Sequence, residues 1–280
     1  MFDTGDSYGT GADEGRAELL LGELRATTST KTKTIFATKL AVYPWRLTRN
    51  SFVNAAKASQ QRLGGQLDIV QAHWSPANYL GLQTRPLLEG LADCVDLGIA
   101  SGVGLSNFGP IELRKAHAYF QSRGVPLLLN QFQCSLLSFS NSKSETIKVC
   151  NELGIVPFSY STLGLGAIAK IAMSDRPRKP TKNKFRNFLH NKILAPSNSN
   201  DLQQLLRALA TKYDKTIVQI AINFVLCLGT VPIVGFTDPA AVDENLGALS
   251  FRLGESDFNQ LADIALKLPT KATENIFQTR

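Results

Sequence analysis

The feature that most constrains this chain is a repeated order, short apolar strand and then helix, kept through nearly all of its 280 residues. Ile35 to Lys39, Leu67 to His73, Ser101 to Leu105, Leu127 to Gln131, Ile155 to Tyr160 and Val231 to Gly235 read as strands, and the chain opens inside another at Phe2. Between them lie segments with apolar residues at helical spacing. Thr48 is an N-cap candidate for a helix ended by Gly64-Gly65, and Pro110 opens a helix ended by Gly124. Helical segments are also expected over Asp13–Leu24, Thr84–Leu97, Ser144–Leu153, Asp201–Tyr213, Thr216–Leu228, Pro239–Leu249 and Glu255–Leu268. A strict β-then-α order predicts parallel strands covered by helices. Seven strands fall one short of a closed (β/α)₈ barrel. The reading is therefore an α/β TIM barrel lacking its first strand and helix, a chain shortened at its N-terminus. An open doubly wound sheet is the alternative, although no G-x-G-x-x-G follows any strand. A chain of this length that is 44% hydrophobic can bury one large core, so residues 1–280 are expected to form a single barrel domain.

Four chemistry-bearing residues stand at or just past the ends of three successive strands. Met1-Phe2-Asp3-Thr4-Gly5-Asp6-Ser7-Tyr8-Gly9 puts Asp3 at a strand end and Tyr8 on a Gly-bearing loop. Lys39 closes the second strand and His73 the third. If those strands are parallel neighbours, Asp3, Tyr8, Lys39 and His73 meet at one rim, where barrel and open α/β enzymes keep their chemistry. Each alone has an ordinary structural reading, as a turn acid, a loop Tyr, a solvated strand end or a core His. Trp45 and Trp74 follow strand ends and are read as lining an apolar substrate pocket. The other two histidines, His117 and His190, show no such constellation and are read as structural.

The formal charge is +7, but it is local. Between Lys170 and Lys192 lie eight Lys and Arg against the single acid Asp175, 8 − 1 = +7, so the rest of the chain is close to neutral. That argues against a nucleic-acid surface. The stretch from Gly164 to Asn200 breaks the strand–helix rhythm and is expected to be a structureless basic lid. No apolar run approaches the roughly 20 residues that a membrane span needs. Asp3 and Asp6 stand where a secretory signal would be basic and apolar. Cys94, Cys134, Cys150 and Cys227 form no C-x-x-C pair and read as reduced and buried, with neither disulfide nor metal site expected.

These residues resemble the aldo-keto reductase family over essentially the whole chain. The resemblance is carried by Asp3-Thr4 with Tyr8, by Thr38-Lys39 and by His73-Trp74. It continues through Gly104-x-Ser106-Asn107, Asn130-Gln131, Tyr160-Ser161-x-Leu163-Gly164 and Pro232-x-x-Gly235. The run Thr38-Lys39-Leu40-x₃-Pro44-Trp45-Arg46 is most similar to the plant and algal plastid branch. The resemblance implies reduction of aldehydes or ketones with NADPH, NADH being possible, and a catalytic tetrad of Asp3, Tyr8, Lys39 and His73. It implies that Ser106, Asn107 and Gln131 hold the nicotinamide carboxamide and that Tyr160 stacks on its ring. Ser161 and Leu163 belong to a loop over the pyrophosphate. Gly235 and Thr237 fall at the 2′-phosphate site, and Glu244 and Asn245 at the adenine end. Thr237 stands where a Lys or Arg is expected, which predicts weaker selection of NADPH over NADH.

The tetrad has a physical rationale of sufficient size. A tyrosine hydroxyl is a weak acid, with a pKa of about 10. One ammonium about 4 Å away favours the phenolate by roughly 4 kcal/mol at an effective dielectric near 20, or about three pKa units. The runner-up function is a catalytically impaired cofactor-binding subunit of the same fold, regulatory or partnering. An anion- or nucleic-acid-binding protein is a third reading, resting on the basic stretch alone. The partner expected is a small carbonyl substrate, without nucleic acid or membrane; the sequence names no oligomeric state. The compartment read from the chain as given is cytoplasmic, or plastid if a transit peptide lies upstream of Met1.

Overall fold

Short apolar runs become strands, and capped amphipathic segments become helices, in the order the sequence predicts. The computed structural model describes residues 1–9, 13–27, 34–172, 196–236, 238–268 and 278–279. Among them the elements are β1 (Phe2–Gly5), α1 (Arg16–Thr27), β2 (Phe36–Leu40), α2 (Arg49–Arg62), β3 (Leu67–Ala72), α3 (Thr84–Asp96), β4 (Ala100–Ser106) and α4 (Pro110–Ser122). Next come β5 (Leu127–Gln133), α5 (Asn141–Glu152), β6 (Val156–Tyr160), α6 (Ala167–Ala172), α7 (Pro196–Tyr213), α8 (Ile217–Cys227), β7 (Val231–Pro232), α9 (Pro239–Gly247) and α10 (Glu255–Lys267).

The chain packs as two compact units. The first contains Met1–Gln131, Val149–Val156 and Phe277–Arg280. In it the strands from β1 to β5 are consecutive parallel neighbours, in register through Gly5↔Lys39, Lys39↔Gln71, Gln71↔Gly104 and Ser106↔Gln131. That register brings the C-terminal ends of these five strands to one rim. Gly104 is required there: a Cβ would meet Gln71 Cγ at 2.8 Å and Leu129 Cδ1 at 2.9 Å. Thr48 caps α2 by accepting from Ser51 N, and Leu63 ends it before Gly64 takes a left-handed φ of 66°. The core of this unit is built around Leu40, Phe52, Leu67, Val70, Leu91 and Phe120.

The second unit contains Phe132–Lys148 and Pro157–Ile276, with β6 paired in parallel to β7. Its core gathers Phe132, Phe139, Leu206, Ile220, Phe224 and Leu261. Thr216 and Gln219 form a capping box at the start of α8.

Several boundaries differ from the sequence reading. Helix α1 starts at Arg16, not Asp13, because Gly15 takes a φ of 80° that a helix cannot carry. The expected structureless stretch 164–200 is ordered at both described ends. A single tight turn at Gly164–Gly166 leads into α6, whose Ala167, Ile168 and Ile171 are buried, and α7 already begins at Pro196. Pro196 suits a first helical position, where its missing N–H is not needed. Most of the basic cluster, residues 173–195, lies outside the described residues. Three of the four cysteines are buried as expected, but Cys227 is only partly so. Among the described residues no helix is long and apolar enough to cross a membrane.

Candidate active site

The C-terminal ends of the first unit's strands assemble a polar cluster from residues that the sequence leaves far apart. Asp3, near the end of β1, is almost fully covered and makes an ion pair with Lys39 Nζ from β2. Its other carboxylate oxygen accepts from Gln71 Nε2 at 2.8 Å and from Gln131 Nε2 at 2.8 Å. Gln131 Nε2 also donates to Gln71 Oε1 at 2.7 Å. Asp3 therefore has a cation and two amide donors, the compensation a buried carboxylate needs. Lys39 Nζ stands 5.1 Å from the centre of the Tyr8 ring. The Tyr8 ring meets His73 edge-on, with centroids 5.4 Å apart. The structure thus brings Asp3, Tyr8, Lys39 and His73 to one rim, as the sequence predicts, with Tyr8 39% exposed at its mouth.

His73 is held neutral. Burial, and then the charge of Lys39, lower its pKa from 6.5 to about 3 against the opposing pull of Asp3. Its Nδ1 lies 3.2 Å from Ser7 Oγ. A neutral ring can offer one N–H and one lone pair to a neighbour.

Of the residues expected at the nicotinamide, Ser106, Asn107 and Gln131 also lie in the first unit, at the ends of β4 and β5. Asn107 takes a left-handed φ of 63°, which Asn tolerates better than most residues. Its N–H donates to Gln131 O at 2.7 Å, and its Nδ2 reaches Ser106 Oγ at 3.2 Å. Hydroxyl, amide and carbonyl groups side by side are a donor and acceptor set that fits a carboxamide. The Gln131 amide, however, is committed to Asp3 and Gln71, so this residue also supports the Asp3–Lys39 pair. Near the C-terminus, Thr279 N donates to Asn107 O at 3.1 Å and Thr279 Oγ1 accepts from Gly109 N at 2.9 Å.

Tyr160, Ser161, Leu163, Gly235, Glu244 and Asn245 belong to the second unit. Tyr160 is half-buried at the end of β6. Ser161, Gly164, Leu165 and Gly166 all have positive φ, so the loop after Tyr160 is tightly wound. A Cβ at Gly164 would meet Leu137 Cδ1 at 2.5 Å. Thr237 lies outside the described residues. Its neighbour Asp238 caps α9, Oδ1 accepting from Ala241 N at 2.9 Å. That carboxylate is turned to its own helix. A cavity of about 470 Å³ beside it is lined by Phe236, Asp238, Pro239, Val242 and Asp243.

The two tryptophans are joined by a residue that sequence reading missed. Tyr43 stacks on Trp45 with centroids 4.5 Å apart and meets Trp74 edge-on at 6.2 Å. Trp74 lies 5.0 Å from His73, and its Nε1 donates to Tyr79 Oη at 2.6 Å. An aromatic row thus runs from Tyr8 through His73, Trp74 and Tyr43 to Trp45, a residue that is 72% exposed. Trp45 also lines a cavity of about 370 Å³ with Asp6, Glu14, Tyr43 and Arg46, a space that no tetrad residue borders. Gln71, Ser7, Asp6 and Arg46 were missed as well. Gln71 had a signal: a polar side chain two residues before His73 in an apolar strand shares its face. Among the described residues no group of three or more His, Cys, Asp or Glu is arranged to hold a metal ion.

The sequence model of the Aldo/keto reductase family matches residues 1–266. The chloroplastic pyridoxal reductase of Arabidopsis thaliana is 44% identical, in an alignment spanning all of this chain and 76% of that protein. The solved structure of the thermostable aldo-keto reductase Tm1743 with the inhibitor epalrestat superposes with a TM-score of 0.70 at 19% identity, over 94% of this chain and 81% of that one. The Bombyx mori aldo-keto reductase AKR2E4 in complex with NADP gives 0.65 at 21% identity, over 94% and 77%. The α/β barrel fold of these reductases is therefore the fold of this chain, with seven strands among the residues described.

Proposed function

The chain belongs to the aldo/keto reductase family, and from that premise we propose that it reduces an aldehyde carbonyl to the alcohol with NADPH, Tyr8 giving the proton. The observation that carries this reading is the pairing of a neutral His73 with a Lys39 ammonium beside the Tyr8 ring. NADPH, when bound, supplies the hydride. Tyr8 delivers a proton to the carbonyl oxygen as charge builds on it, and Lys39 stabilises the phenolate left behind. Asp3, itself held by Gln71 and Gln131, keeps Lys39 in place through their ion pair. His73, neutral and beside Tyr8, orients the carbonyl by a hydrogen bond. Ser106, Asn107 and Gln131 hold the carboxamide, and Tyr160 supports the ring. Ser161, Leu163, Gly235, Thr237, Glu244 and Asn245 take the rest of the dinucleotide.

The substrate class favoured is a flat aromatic or heteroaromatic aldehyde. The aromatic row along His73, Trp74 and Tyr43 gives such a ring a face to lie against. The Arabidopsis thaliana relative is named a chloroplastic pyridoxal reductase; pyridoxal is an aldehyde of that kind, and the name supports a plastid location. The test is Tyr8→Phe in the 280-residue protein, with pyridoxal, benzaldehyde and an aliphatic aldehyde as substrates. The expected result is a fall of about 100-fold or more in turnover, with NADPH still quenching the protein's fluorescence at the parental affinity. A variant that reduces aldehydes as fast as the parent overturns the assignment of Tyr8.

A further inference from the structure

The loop between β1 and α1 carries, one residue before Tyr8, a side chain that the reaction above does not use. Ser7 is half-buried, and its Oγ stands 3.2 Å from Nδ1 of His73. A neutral imidazole has one N–H and one lone pair, and the hydrogen bond at one nitrogen decides which the other presents. With Nδ1 facing Ser7, the opposite nitrogen, Nε2, is the one left for a substrate oxygen. Two arrangements satisfy the 3.2 Å contact. If Nδ1–H donates to Ser7, Nε2 offers a lone pair to a carbonyl oxygen that has only lone pairs, and the two repel. If the hydroxyl donates to Nδ1, Nε2 carries the hydrogen and can donate to the carbonyl.

We propose that Ser7 is a positioning residue: its hydroxyl donates to Nδ1 of His73 and holds the ring as the Nε2–H form that can hydrogen-bond a carbonyl. The role in turnover rests on the function proposed above; the state of the ring does not. The ring plane is already restrained on other sides, by the edge-on Tyr8 ring at 5.4 Å and the Trp74 ring at 5.0 Å. What those aromatic contacts cannot supply is a preference for one nitrogen over the other, since neither makes a hydrogen bond to the imidazole. Ser7 supplies it. Because Ser7 and Tyr8 are adjacent, the loop that brings the proton donor also sets the orienting group opposite it.

The experiment reads the ring directly. A long-range ¹H–¹⁵N correlation of the imidazole nitrogens is recorded on the 280-residue protein, which has three histidines, and the His73 signals are identified by their loss in His73→Gln. The expected spectrum has Nδ1 as an unprotonated acceptor and Nε2 protonated. In Ser7→Ala the single form gives way to a mixture of the two. The same variant is expected to lose roughly 3- to 10-fold in kcat, the scale of one neutral hydrogen bond, with the KM for NADPH unchanged. Ser7→Thr, which keeps the hydroxyl, is expected to recover most of it. An Nδ1–H ring in the parent overturns the proposal, and so does Ser7→Ala with the parental spectrum and kcat. A parent that shows the Nε2–H ring and reduces no aldehyde leaves Ser7 with this role and overturns the function instead.

Discussion

At the scale of single residues, His73 ties the site to the stability of the fold. Its pKa of about 3 lies below the 6.5 of an ordinary histidine, chiefly through burial. Between those values the unfolded chain binds a proton that the folded one refuses. Stability from this residue is therefore fully present above pH 6.5 and is lost as pH falls toward 3, at up to about 1.4 kcal/mol per pH unit. Urea unfolding at half-unit steps from pH 7 to 4 checks this. His73→Gln is expected to show a shallower loss than the parent, and equal slopes would mean that the ring takes up a proton in the fold. His73 itself was legible in the sequence because it follows the third short apolar strand, after those that carry Asp3 and Lys39. Gln71 and Ser7 were not, because nothing local marks a glutamine or a serine as the partner of a particular carboxylate or ring nitrogen.

At the scale of elements, the rim depends on loops that are bolted together. Asp6, from the loop after β1, is 3% exposed; it accepts from Ala41 N at 2.9 Å and from Arg46 Nη1 at 2.6 Å. Arg46 also donates to Ala41 O at 2.8 Å. Gln83, from the turn before α3, donates to Tyr43 O at 2.7 Å and to Arg46 O at 2.8 Å. The loops after β1, β2 and β3, which bear Tyr8, Trp45 and Trp74, thus share one polar knot. Removing one partner of a buried ion pair costs about 3–5 kcal/mol. Arg46→Ala is expected at the lower end, about 3 kcal/mol, because Ala41 N still serves Asp6; urea unfolding measures it. A loss under about 1 kcal/mol would mean that Asp6 finds water instead. The sequence showed the Tyr43-Pro44-Trp45-Arg46 run as a loop but not its tie to Asp6, since the two lie 40 residues apart.

At the scale of the whole molecule, the four thiols report on packing in both units. Burial pushes Cys94, Cys134 and Cys150 up to about 12, so they hold their protons at neutral pH and are unreactive. Cys227 is only partly buried. A thiol-reactive disulfide reagent at pH 8 is expected to titrate no more than one cysteine in the folded protein and all four in guanidinium. Rapid reaction of two or more in the folded state would mean that one of the two cores is loosely packed. The composition alone pointed to reduced thiols; it took the packing of each helix face to separate Cys227 from the rest.

The amino-acid sequence by itself determined the order of strands and helices and the four residues at the strand ends, because periodicity, caps and glycine turns act over a few neighbouring positions. Capping by Thr48 and the stop at Gly64 are of that kind. The tertiary structure alone decided which atoms meet. Asp3 takes its amide donors from 68 and 128 residues away, His73 its hydroxyl from 66, and Gly104 is glycine because the Gln71 side chain fills the space a methyl would need. Those choices follow from strand register and from the need of a buried charge for partners, and both are satisfied only once distant segments are packed together.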